Sequence, residues 1–159
     1  AFGSCQLTPN SGVMLQNRGQ GFVINKNHPN CIAPSKRPLH TIIPGMMVKN
    51  NLAEMSFGVM GGHYQAFGHM HFLSKHLDFG LDLQEAIDLP RLFPLPGSRK
   101  VEIESGFPQD VIDGLTKKGH KMVRPTKPIG GAQAIQINWR NGTLTGASEP
   151  RKDGCAIGY

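Results

Sequence analysis

Within ten residues the chain changes its hydrophobic period, and that change limits what it can fold into. Ala53, Met55, Phe57 and Val59 share one parity, and Glu54, Ser56 and Gly58 the other, which is the period of a strand with one buried face. From His63 onward the apolar residues fall at helical spacing, with Ala66, Met70, Leu73 and Leu77 on one predicted buried face. Between the two patterns lies Gly58-Val59-Met60-Gly61-Gly62. A strand that passes through two glycines into a helix must turn sharply. The turn leaves the Gly61 and Gly62 N–H groups at a helix N-terminus, where they suit a developing negative charge. A Gly pair at a strand end also marks a plain turn, so the rest of the chain has to decide between the two readings.

The remaining pattern is α+β. Val13-Met14-Leu15 and Phe22-Val23-Ile24 read as short strands around the bend Arg18-Gly19-Gln20-Gly21. Residues 27–38 hold three prolines and read as loop. Residues 42–48 are nearly all apolar and predict a strand buried on both faces. Asn50-Asn51 then makes a hairpin to the alternating strand. The helix after the Gly pair is predicted over residues 63–79, with Gly80 as its stop. A second helix starts at Asp82, which has capping-box spacing to Glu85, and ends at Pro90. A third has Pro108 near its first turn, Val111, Ile112 and Leu115 inside and Gly119 after it. Strands follow at residues 121–124, 133–139 and 143–147, the last two joined by Asn141-Gly142. The chain shows no internal repeat, and residues 1–159 read as a single domain.

Composition narrows the function. A chain of 159 residues can bury a real core. There is no apolar run of about eighteen residues, so no membrane span is expected. The net charge is +6, but Lys and Arg are scattered and no basic run carries interleaved aromatics, which argues against nucleic acid and for a solvated face or an acidic partner. Cys5, Cys31 and Cys155 are an odd set without CxxC spacing, which argues against zinc and a disulfide framework and leans towards a cytoplasmic, reducing compartment.

Several candidate centres fail on spacing. His69 and His71 lie about 200° apart on a helix, and His69 and His76 lie two turns apart, so neither pair chelates one ion. A thiol nucleophile is unsupported, because the spatial neighbours of the three cysteines cannot be read from the sequence. Lys36-Arg37 could hold an anionic substrate, although such a pair in a Pro-rich loop more often makes surface or interface contacts.

A set of motifs in fixed order resembles the gamma-glutamyltranspeptidase family. Ser35-Lys36-Arg37-Pro38-Leu39-His40-Thr41 is similar to its "GKRPLSS" stretch, and Gly12-Val13-Met14-Leu15-Gln16-Asn17 to its "GILLNN". The Gly61-Gly62 pair, a helix ending in Asp78-Phe79-Gly80, and Glu85-Ala86-Ile87-Asp88-Leu89-Pro90-Arg91 follow in order. Gly146-Ala147-Ser148-Glu149-Pro150-Arg151 resembles "GASDPR", and Gly158-Tyr159 the usual ending.

The resemblance implies an αββα four-layer sandwich of the N-terminal-nucleophile hydrolase type, with this chain supplying the small-subunit part of a self-cleaving precursor. It implies an N-terminal Thr that cleaves γ-glutamyl amides through an acyl-enzyme, a large subunit from the same precursor as partner, and no cofactor. Ala1 has no hydroxyl or thiol. The chain is therefore expected to be most of a small subunit without its catalytic first segment, and inactive alone. Gly61 and Gly62 match the family's oxyanion-hole glycines, and Met60 precedes them as a substrate-binding candidate. His40 and Thr41 stand where the family holds the substrate α-carboxylate with a Ser pair. Arg18 and Gly21 stand where it receives the α-amino group with a Gln and an Asp, and Gln20 is an alternative partner there. Gly21 offers no carboxylate and Arg18 repels an ammonium. An acyl group bearing a carboxylate, such as glutaryl, would suit them better, as in the family's cephalosporin acylase-like members. A non-catalytic paralogue stays open as a further alternative. Family members are often periplasmic or secreted, against the lean given by the cysteines.

Overall fold

The computed structural model describes residues 3–159. Ala1, on which the expectation of a missing nucleophile rests, and Phe2 lie outside the described residues. Contacts divide the chain into two compact units, one ending at Ile42 and the other spanning Ile43–Tyr159.

The first unit is mostly turns. Ser4 N–H donates to the Leu15 carbonyl at 2.7 Å, Leu15 N–H to Gln6 at 2.9 Å and Thr8 N–H to Val13 at 3.1 Å. The strands expected at residues 13–15 and 22–24 reduce to two single bridges, Leu7 with Met14 and Val23 with Cys31. The reason is a lack of cover: Val13, Leu15 and Ile24 are all exposed, so no buried face rewards a longer ladder. The bend at Arg18–Gly21 is a single 3-10 turn. Lys36 Nζ donates to the Cys31 carbonyl at 3.0 Å and to that of Pro29, which gives it a structural role within this loop.

The second unit holds two sheets and three α-helices. Strands β1 (Gly45–Lys49) and β2 (Leu52–Met60) form the expected hairpin. Asn50 and Asn51 take φ of +50° and +62°, the left-handed pair a two-residue hairpin needs. Strand β6 (Gly131–Asn138) pairs with the other side of β2, and β7 (Thr143–Ser148) with β6, giving an antiparallel sheet of order β1-β2-β6-β7. Helices α1 (Tyr64–Leu77) and α2 (Leu83–Asp88) contribute to one core with this sheet. That core joins Met55, Val59, Ala132, Ala134 and Ala147 to Tyr64, Phe72, Leu83, Ala86 and Ile87. Asp82 and Glu85 close both bonds of the expected capping box. A smaller sheet of order β3-β4-β5 is built from Leu92–Pro94, Lys100–Ile103 and Lys121–Val123, with α3 (Gln109–Lys117) connecting the parallel pair β4 and β5.

Two burial expectations are corrected. The apolar run at residues 42–48 is not a doubly buried strand. Its strand part begins at Gly45 and lies at the sheet edge, and Met46 and Val48 are both 58% exposed. Only one face of that sheet is covered by helices. The other carries Met46, Met60, Ile135 and Leu144, each at least half exposed. Helix α1 also turns a different face to the core. Tyr64, Gly68, Phe72 and Lys75 are buried, while of the expected face Ala66, Met70 and Leu77 are exposed and only Leu73 packs against the core. Apolar residues lie on more than one side of α1, and the large aromatic rings fill the space beside the small alanines of β6 and β7. Gly68 lets helix and sheet approach closely: a Cβ there would stand 2.6 Å from Val59 Cγ1.

Candidate functional site

The strand-to-helix junction is a closed glycine turn. Met60 ends β2 opposite Gly131, and the two following residues take φ of +137° (Gly61) and +60° (Gly62). Glycine alone adopts both angles without strain. Tyr64 N–H donates to the Gly61 carbonyl at 3.2 Å and Gln65 N–H to the Gly62 carbonyl at 3.1 Å. Both carbonyls are thus committed to the start of α1. The N–H groups of the turn stand at the positive end of the helix dipole, where the first donors have no partner within the helix. His63 occupies the N-cap position without a side-chain cap.

Histidines near the turn serve the fold. His69 Nε2 accepts the Val59 N–H at 3.1 Å, beyond the end of β1, and its ring meets the Phe57 ring edge-on at 5.3 Å. Burial lowers the His69 pKa, in keeping with an acceptor nitrogen. His76 Nδ1 lies 2.8 Å from the Leu81 carbonyl. Burial first, then the charges of Lys75 and Arg91, lowers His71 to about 4. Among the described residues no three His, Cys, Asp or Glu side chains gather as a metal site.

Behind the turn lies a buried ion network, which sequence reading missed as a unit. Glu149 is fully buried. Its Oε2 accepts from Arg91 Nη2 and, at 2.8 Å, from the Ala132 N–H, and its Oε1 accepts from Arg151 Nη1 at 3.0 Å and the Arg151 N–H at 3.2 Å. Burial alone would raise the Glu149 pKa, but the Ala132 N–H and the two guanidiniums outweigh it and hold the carboxyl below its ordinary range. Glu104 accepts from the N–H groups of Arg91 and Ile129, both at 3.0 Å, and pairs with Arg151. Arg91 Nη1 donates to the Ile129 carbonyl at 2.9 Å, and Arg151 donates to the carbonyls of Ile87, Asp88 and Leu89. The network therefore ties the end of α2 and the 149–151 turn to residues 129–132. That last segment carries Gly130 against the site: a Cβ at Gly61 would lie 3.0 Å from Gly130 Cα. Burial lowers the nearby Lys75 ammonium to about 8, helped by Arg91 and Arg151 and opposed by the two glutamates. Arg91 and the Glu149–Arg151 motif were visible in the sequence, but nothing in their spacing said that they meet.

The other predicted residues belong to the first unit. Arg18, Gln20 and Gly21 share one exposed 3-10 turn, and the Gly21 carbonyl accepts from Asn30 Nδ2 at 2.5 Å. His40 is exposed and Thr41 half-buried, in the extended segment that ends that unit. The structure thus groups Met60, Gly61 and Gly62 in one turn and Arg18, Gln20 and Gly21 in another.

Comparison with known proteins places this architecture. The family model described as Gamma-glutamyltranspeptidase matches residues 1–159. The chain belongs to the gamma-glutamyltranspeptidase family. It is 34% identical to a glutathione hydrolase-like YwrD proenzyme of Bacillus subtilis, over 99% of this chain and 31% of that protein. The chain thus spans about three-tenths of the length of this relative. Its structure superposes on a cephalosporin acylase from Bacillus halodurans with a TM-score of 0.87 and 40% identity, over 95% of this chain and 28% of that one. An acivicin-inhibited gamma-glutamyltranspeptidase gives a TM-score of 0.85 and 29% identity, over 97% of this chain and 88% of that one. The α+β organisation is therefore that of gamma-glutamyltranspeptidase structures. No helix among the described residues is long and apolar enough to cross a membrane.

Proposed function

We propose that this chain is the small-subunit part of an amide-cleaving acyltransferase or hydrolase that acts on γ-glutamyl amides. The observation that carries the reading is the Gly61–Gly62 turn, with its two left-handed glycines at the N-terminus of α1. In this reading an N-terminal Thr outside residues 1–159 attacks the amide carbonyl, and its own free amine takes the hydroxyl proton. The carbonyl oxygen gains negative charge and meets the N–H groups of Gly61 and Gly62. The C–N bond then breaks, the amine leaves with the proton, and the acyl ester passes to water or to an amino acid. Each well-placed donor in such a hole is worth roughly 10²–10³ in rate.

The partner is a large subunit from the same precursor. The uncovered sheet face supports it. Met46, Ser56, Ile135 and Gly146 lie in one row across β1, β2, β6 and β7 on the face away from the helices. A second sheet on that face would complete the four-layer αββα sandwich and cover Met46 and Ile135.

A second reading has its own observation. The turn holding Arg18, Gln20 and Gly21 is exposed and offers a guanidinium but no carboxylate. A substrate ammonium would lose a charge-assisted hydrogen bond there, worth about 1.5–3 kcal/mol. An acyl group ending in a carboxylate would gain one. The similarity to a cephalosporin acylase agrees with this reading. The test uses the full-length, self-processed protein and compares aniline release from a γ-glutamyl anilide and a glutaryl anilide. Preference for the first supports the γ-glutamyl reading, preference for the second makes Arg18 part of an acylase pocket, and turnover of neither overturns both.

A further inference from the structure

We propose that Tyr64 is the positioning residue that fixes the Gly61–Gly62 donors, an inference that rests on the oxyanion reading of that turn. Tyr64 is the first residue of α1 and yet only 3% exposed. Its backbone N–H closes the turn on the Gly61 carbonyl, so side chain and turn move together. The side chain is wedged among three glycines. A Cβ at Gly61 would lie 3.2 Å from Tyr64 Cβ, and one at Gly68 2.6 Å from Tyr64 Cε1. At Gly130, whose φ is +62°, it would run into the ring itself.

The ring is also clamped from the aromatic side. Phe93 meets it edge-on at 5.4 Å and Phe67 at 6.1 Å, contacts that favour one ring orientation. Behind it, the ion pair of Arg91 and Glu149 holds Ile129 and Ala132, the residues that bracket Gly130 and Gly131. The ring therefore transmits a rigid, charge-anchored segment to the glycine turn. No hydrogen-bond partner of the Tyr64 hydroxyl occurs among the described residues, so the ring and not the hydroxyl does the positioning.

The test uses the full-length, self-processed protein with Tyr64→Phe, Tyr64→Leu and Gly130→Ala. Two quantities are read: amide hydrogen exchange over residues 58–66, and kcat and KM on whichever anilide the wild type turns over faster. Tyr64→Phe should leave exchange unchanged and kcat within about twofold, because the ring is kept. Tyr64→Leu and Gly130→Ala should speed exchange at the turn and lower kcat on the order of 10²-fold with KM little changed, the cost of misplacing a group by about 1 Å. If Tyr64→Leu does not fold, Gly130→Ala decides, since it leaves Tyr64 itself intact. Unchanged exchange and unchanged kcat in Gly130→Ala and Tyr64→Leu would overturn the positioning role and leave the oxyanion reading standing. Faster exchange at the turn with unchanged kcat would overturn the oxyanion reading itself, and with it any catalytic consequence of Tyr64. A fall in kcat accompanied by faster exchange throughout β6 and β7 would overturn the proposal in favour of a general packing role.

Discussion

Replacing Glu149 by Gln removes one charge and almost no volume, which isolates the electrostatics of the buried network. The carboxylate has two donors on each oxygen: Arg91 and the Ala132 N–H on one, the Arg151 side chain and N–H on the other. An amide presents one oxygen and one NH2. Whichever way Gln is turned, its NH2 faces two donors, and Arg91 loses its buried counter-charge. Arg91 is 4% exposed and cannot regain water without moving the Ile87 and Ile129 carbonyls it holds. Breaking a buried pair on one side costs about 3–5 kcal/mol. Amide hydrogen exchange in the full-length protein reads this locally. At Ala132, Ala134 and Ala147, exchange should accelerate by roughly 10²- to 10⁴-fold. Asp110→Asn in the exposed first turn of α3 is the control, expected within about 0.5 kcal/mol of wild type. Protection in Glu149→Gln within about 1 kcal/mol of wild type would mean that the guanidiniums are not held in a dry network.

Other expectations follow from the same geometry. Gly61→Ala should lower kcat more than Gly62→Ala, because the first meets Gly130 and Tyr64 while the second has open space and only its left-handed φ to bear, a strain of about 1–2 kcal/mol. Steady-state kinetics on the processed enzyme checks the order, and a reversed order would remove the packing argument. His71 has a folded pKa near 4 against an ordinary 6.5, so between those values the unfolded chain binds the extra proton. Stability from this group is therefore complete above pH 6.5 and lost as pH falls towards 4. Discounted for partial solvent access, the loss is about 2 kcal/mol, and His71→Asn should flatten that part of the denaturation profile. Asp82→Ala breaks both bonds of the capping box and should cost about 1 kcal/mol, read by thermal melting.

The parts of the fold set by local chemistry were legible in the sequence. Asn50-Asn51, the alternation over residues 53–59, the Asp82–Glu85 box and Asn141-Gly142 each act within a few residues, and each forms the expected element. The Gly61–Gly62 turn was legible for the same reason. What failed depends on distant neighbours. Residues 42–48 look doubly buried, but Met46 and Val48 lie exposed on the edge strand of the sheet, and nothing among residues 3–159 covers them. The stripe Ala66–Met70–Leu73–Leu77 has good helical spacing, yet only Leu73 of it reaches the core and the sheet selects Tyr64 and Phe72, because small alanines on β6 and β7 leave room for rings. Strands β3 and β4 are three and four residues long and carry Pro94, too short for periodicity to register. The network of Arg91, Glu104, Glu149 and Arg151 joins residues up to 60 positions apart, and no spacing rule reaches that far.

If the Gly61–Gly62 turn stabilises the oxyanion of an acyl-enzyme reaction, as proposed, the first turnover of the full-length, self-processed protein must show it. Wild type and Gly61→Ala would be mixed with the preferred anilide, aniline release followed in the first turnover, and the quenched protein weighed by intact mass spectrometry. The expected result is a burst of aniline matched by an acyl adduct on the protein, with the burst in Gly61→Ala slowed on the order of 10²-fold and little change in KM. Turnover without a covalent adduct, or an equal burst rate in both proteins, would contradict it.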